Sequence, residues 1–154
     1  MSRGLRVGGH PLHAALSDFP LVLFLLWVAL DAVALGGGAP LFWTLGHWAL
    51  IAGLVAAGAA ATAGFIDYLG VSKDAPRALR TATAHLGVML SVTCIALLVL
   101  LYRGAEPPAG TGRVLHVIAL ALVALGLSVG GWLGGHLVFH FGVGVDRGEE
   151  NRPR

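Results

Sequence analysis

The chain reads as an all-α integral membrane protein, a four-transmembrane-helix up-down bundle, and three observations say so. Of its 154 residues 56% are hydrophobic and 12% charged, about half the charge of a soluble domain, and the mean hydropathy is +0.81. Three stretches, 32–66, 81–102 and 114–145, hold no Asp, Glu, Lys or Arg, and a spanning helix needs about 20 mostly apolar residues. The first stretch is interrupted by Gly36-Gly37-Gly38-Ala39-Pro40, which breaks a helix, so it belongs to two spans.

Helix 1 is expected over about 12–35, where an apolar run precedes Asp31. Helix 2 takes the remainder of the first charge-free stretch and runs over about 41–69. Helices 3 and 4 follow from the second and third stretches, over about 78–102 and 113–141. The links are short, so consecutive helices should be antiparallel neighbours, and residues 1–154 form a single domain. Ala32-Val33-Ala34 has the pattern of a signal-peptide cleavage site, but the leader would then carry Asp18, Pro20, Asp31 and two histidines, so helix 1 is read as retained.

Basic residues set the expected orientation. Arg3 and Arg6, then Lys73, Arg77 and Arg80, then Arg147, Arg152 and Arg154 share one side of a four-span bundle, leaving Arg103 and Arg113 on the other. The positive-inside rule puts both termini in the cytoplasm. The net charge of +2 is thus topological, and no basic cluster interleaved with aromatics suggests nucleic acid. The single cysteine, Cys94, excludes an internal disulfide and is expected in the core.

Lipid gives helices no hydrophobic drive to pair, so small residues must let backbones approach. Gly126, Gly130 and Gly134 form such a stripe on helix 4, and Gly53, Ala57 and Ala61 on helix 2; both suit packing within one chain. Trp43, Trp48 and Trp132 fit an interfacial belt.

The chemistry lies in seven histidines, since ionisable side chains in lipid are costly and mark sites or pathways. His10, His13 and Asp18 of helix 1, Asp67 of helix 2, His85 of helix 3, and His136 and His140 of helix 4 collect at the cytoplasmic end. Asp31, His47 and His116 collect at the other. Helices 1 and 3 are diagonal in an up-down bundle, as are 2 and 4, so His13 faces His85 in one layer and His47 faces His116 in the other. Paired imidazoles on diagonal helices are a known haem arrangement, and two layers would suggest two haems. Helical phase favours the cytoplasmic layer. His13 and Asp31, eighteen residues apart, share a face, whereas His116 and His136 differ by about 200°, as do His47 and Asp67. Asp18 and Asp67 are read as acceptors orienting the imidazoles, with a tether of the helix 2–3 turn as the other reading of Asp67. Asp31 is read as a boundary residue.

Gly9-His10-Pro11-Leu12-His13, Asp18-Phe19-Pro20, Asp31, Gly64-Phe65-Ile66-Asp67-Tyr68-Leu69, His85, Gly131-Trp132-Leu133-Gly134-Gly135-His136-Leu137-Val138 and Gly142-Val143-Gly144-Val145 together resemble the domain of unknown function 2231 family of bacterial membrane proteins, over nearly the whole chain. The resemblance implies a four-helix membrane domain and, because relatives occur fused to Rieske iron–sulfur or cytochrome c domains, a redox setting. The family pattern falls on His10, His13, Asp18, Asp67, His85 and the region of His136, and leaves out His47 and His116. Position 141 is Phe here, where relatives often carry His; this chain has His140.

No C-x-x-C-H, paired C-x-x-C, H-E-x-x-H or P-loop occurs, so any haem would be non-covalent. The first functional expectation is a b-type haem-binding electron-transfer subunit, ligated by His13 and His85 with His136 or His10 as the rival ligand. It would work with a redox protein, a membrane complex or quinone rather than as a stand-alone enzyme. The alternatives are a divalent-metal site of His10, His13, His85 and His136, suited to Zn, Cu, Fe or Ni, and a structural or assembly subunit of a redox complex. A channel or transporter is disfavoured, since neither paired broken helices nor an internal repeat is evident.

Overall fold

A computed structural model describes residues 5–71 and 73–144. Arg3, Arg147, Arg152 and Arg154, used above for orientation, lie outside these. A two-stranded hairpin, β1 (Arg6–Val7) and β2 (His10–Pro11), precedes four helices, α1 (Leu12–Leu35), α2 (Pro40–Leu69), α3 (Pro76–Tyr102) and α4 (Gly110–Phe139). All four are long and apolar enough to cross a membrane. Sequence reasoning missed the hairpin. Its turn is Gly8-Gly9, with φ of 58° and 84°, the left-handed pair that a two-residue hairpin turn demands and that glycine supplies without a steric penalty. Helices α3 and α4 begin earlier than hydropathy placed them. Pro76 opens α3, because a first-turn residue has no intrahelical use for the N–H that proline lacks.

Helix α1 packs most extensively on α2 and α3 on α4, with fewer contacts between the two pairs. The core runs down the middle through Phe24 and Trp27 of α1, Leu50 of α2, Val92 and Ala96 of α3, and Leu120, Val123 and Leu127 of α4. Glycine brings the helices together inside the chain. A Cβ on Gly53 would overlap the Phe24 ring, one on Gly126 would overlap Val92, and one on Gly130 would overlap Met89. The stripes of α2 and α4 therefore seat larger side chains of α1 and α3. Many large apolar residues, Val55, Leu101 and Phe139 among them, face outward, as lipid-facing residues of a membrane bundle do. Cys94 is also exposed, not in the core as expected; the α3 positions that face inward around it are Val92 and Ala96.

Candidate functional site

At the end of the bundle that carries the hairpin and the α2–α3 turn, His13 and His85 meet. Their ring centres are 6.3 Å apart and their planes cross at 79°. Each ring is pinned by the neighbouring even-numbered helix. The Nδ1–H of His13 donates to the Ala60 carbonyl at 2.9 Å, and the Nδ1–H of His85 donates to the Gly130 carbonyl at 2.9 Å. A carbonyl oxygen can only accept, so Nδ1 carries the proton in each neutral ring and Nε2 is the nitrogen with the free lone pair in that tautomer. One turn beyond each carbonyl is a glycine that makes room for the ring. A Cβ on Gly64 would stand 2.6 Å from His13 Cε1, and one on Gly134 would stand 3.3 Å from His85 Cε1.

The other expected partners are elsewhere. His10 is exposed on β2, where its Nδ1–H donates to the Gly8 carbonyl at 3.1 Å. His136 stacks on Trp132, with ring centres 5.5 Å apart, and on His140 at 4.6 Å, beside a shallow cavity of about 430 Å³. Helical phase explains this: Gly134 already faces His85, and a residue two positions on points about 200° away. Among the described residues no three His, Cys, Asp or Glu side chains group to hold a metal ion, so His10, His13, His85 and His136 do not assemble into the four-imidazole site considered above. Asp18 is exposed and Asp67 accepts the Leu5 backbone N–H at 2.7 Å; the acceptors at the imidazoles are backbone carbonyls instead. Asp67 thereby ties the N-terminal hairpin to α2, and Arg6 reaches the Gly144 carbonyl beyond α4 at 3.1 Å.

At the opposite end, His47 and His116 do not form a facing pair. His47 packs on its neighbour Trp48. His116 gives its Nε2–H to Asp31 Oδ2 at 2.9 Å, which commits the nitrogen that haem iron would need. Asp31 is no boundary residue. It is fully buried and gripped by the Arg103 guanidinium through both oxygens, Nη1 to Oδ2 at 2.5 Å and Nη2 to Oδ1 at 2.6 Å. Trp27 Nε1 donates to Oδ2 as well, at 2.7 Å. Arg103 also donates to the Trp43 carbonyl at 2.8 Å and lies 3.5 Å above the centre of the Trp43 ring. Trp43 is buried, not interfacial, and its Nε1–H donates to the Gly104 carbonyl. All four helices contribute to this cluster. Sequence reasoning assigned Arg103 only to the topological charge count.

The fold defines a small polytopic membrane protein with two neighbouring histidines at one end and a buried ion pair at the other. The chain belongs to the family described as predicted membrane protein (DUF2231), whose model matches residues 9–147. No curated protein and no solved structure matched it.

Proposed function

We propose that the chain is a b-type haem-binding electron-transfer subunit of the bacterial inner membrane, whose haem would be held by His13 and His85. The observation that carries this reading is the ring separation. Two imidazoles that shared one iron, with bonds of about 2.0 Å and ~1.15 Å from nitrogen to ring centre, would have centres about 6.3 Å apart; His13 and His85 stand at 6.3 Å. The tautomers agree, because ligating histidines characteristically donate the other ring N–H to a carbonyl and keep the ligating nitrogen bare. A porphyrin fills four positions of its own iron, so a two-imidazole centre suffices for haem, whereas a bare divalent ion would lack further protein ligands. Gly64 and Gly134 give the two rings their seats against α2 and α4.

When bound, haem supplies a one-electron carrier. The chain's own residues fix the ligand orientation through the Ala60 and Gly130 carbonyls and exclude water with the apolar bundle. Quinone or a redox protein is the electron partner in this reading, and both termini lie in the cytoplasm, which follows from the basic residues flanking the hairpin end.

The test is a reduced-minus-oxidised visible spectrum of the detergent-purified protein with haem quantitation. Sharp b-type bands, absent from His13→Ala and from His85→Ala, are expected. A colourless protein from haem-replete cells sinks the reading, and metal analysis of that sample then separates a bound divalent ion from a purely structural or assembly role.

A further inference from the structure

The two ends of the bundle are built on one template. Asp31 follows His13 by eighteen residues on α1, and Arg103, the residue that ends α3, follows His85 by eighteen. Gly46 precedes Gly64 by eighteen on α2, and His116 precedes Gly134 by eighteen on α4. Eighteen residues are five whole turns, so each pair of positions points the same way about its helix, about 27 Å apart along it. The contacts repeat accordingly. At one end His13 lies against Gly64 and faces His85, which lies against Gly134; at the other Asp31 lies against Gly46 and grips Arg103, with His116 beside it.

The equivalence extends through the core. Of the eight buried α2 positions, five, Gly46, Leu50, Gly53, Ala57 and Ala60, are matched seventy residues later by buried α4 positions, His116, Leu120, Val123, Leu127 and Gly130, whereas Trp43, Ala49 and Ala63 are not. Pro20 and Phe24 of α1 are matched seventy-two residues later by Val92 and Ala96 of α3, also buried. Both imidazole tethers obey the same offsets, His13 to Ala60 and His85 to Gly130. The absence of an evident internal repeat, used above against a transporter, is thus a property of residue types and not of interior positions.

We infer that the chain is two copies of one helical hairpin, each supplying one side of two layers, and that the Asp31–Arg103–His116 layer repeats the cofactor-layer geometry eighteen residues along each helix, closed by an ion pair. This inference rests on the haem reading. Asp31 and Arg103 occupy the two axial-ligand positions, and the His116 ring fills the place where the first layer has the bare Gly134. Both charged side chains are sealed, at 0% and 1% exposure. The chain accordingly holds one haem, near the hairpin end, and has no second carrier some 27 Å further along the bundle. Its electron donor and acceptor therefore both meet it on the hairpin side of the membrane, and the chain is not a wire across the bilayer.

The experiment is a titration of the purified, haem-depleted full chain with haemin, followed at the Soret band. The wild type should saturate at one equivalent, unchanged in His116→Asn. Asp31→His/Arg103→His/His116→Gly, which removes both charges and rebuilds the imidazole pair, should saturate at two. With His13→Ala and His85→Ala added, the same variant should hold one, while His13→Ala/His85→Ala alone holds none. Two equivalents in the wild type overturn the inference and leave the haem reading standing. So does a single equivalent in a triple variant that is helical and monodisperse. If the triple variant does not fold, the wild-type and His116→Asn counts decide. No binding by the wild type overturns the haem reading, and this inference with it.

Discussion

Replacing Arg103 by Met should destabilise the bundle far more than replacing Asp31 and Arg103 together. Asp31 Oδ1 receives its hydrogen bond from Arg103 Nη2, whereas Oδ2 is shared by Arg103, His116 and Trp27. Arg103→Met therefore strips one oxygen of a fully buried carboxylate of its donor and removes the counter-charge. Breaking a buried pair from one side costs about 3–5 kcal/mol, because a charge is left in a low-dielectric interior. An exposed pair would cost about 0–1 kcal/mol. Asp31→Leu/Arg103→Met leaves no orphan charge, and replacing both members of a buried pair by apolar residues is often neutral or better; the unpaired Trp27 and His116 donors set a residual loss of about 1–3 kcal/mol for each that finds no partner. The assay is reversible unfolding in mixed micelles by titrated SDS, followed by far-UV circular dichroism, on the wild type, both single variants and the double. The two single losses should sum to well over the double loss, giving a coupling of at least ~1.5 kcal/mol. Single losses that simply add, within about 0.5 kcal/mol, would show that the pair carries no coupling and refute the reasoning.

Three further outcomes follow from the same geometry. Gly64→Val should abolish or shift the haem spectrum while leaving helix content intact, because a Cβ there would sit 2.6 Å from His13 Cε1; Gly134→Ala, at 3.3 Å from His85, should give the weaker shift. Equal effects of the two would contradict the packing. Asp67→Ala should release the N-terminal hairpin by removing the acceptor for the Leu5 N–H: backbone hydrogen exchange over residues 5–11 should quicken while SDS unfolding of the helices is unchanged. Gly8→Ala/Gly9→Ala should do the same by another route, since each residue must hold a positive φ at a cost of about 1–2 kcal/mol in an L-residue; an unaltered exchange pattern in both variants would mean that the hairpin is not held as described.

Depth was legible in the sequence and rotation was not. Four spans follow from length and hydropathy alone, and His13 and His85 were placed at one level because each lies near the same end of a diagonal helix. Which side chains face inward depends on the angle about the helix axis, at 100° per residue. His116 and His136 differ by about 200° about their helix, which argues against a second inward-facing histidine layer, but the position equivalent to His116 is Gly134. A glycine announces nothing chemically, and its role emerges only from the ring that lies against it. Asp31 reads as a boundary residue from its place near the helix end, although it shares a phase with His13; its partner, Arg103, lies eighteen residues beyond His85. A carboxylate and a guanidinium at equivalent phases on diagonal helices are mutually neutralising, which is the condition under which either can enter the interior. The same spacing that aims two imidazoles at each other at one end aims opposite charges at each other at the other end, so one backbone geometry serves as a ligand cage or as a clasp according to two residues.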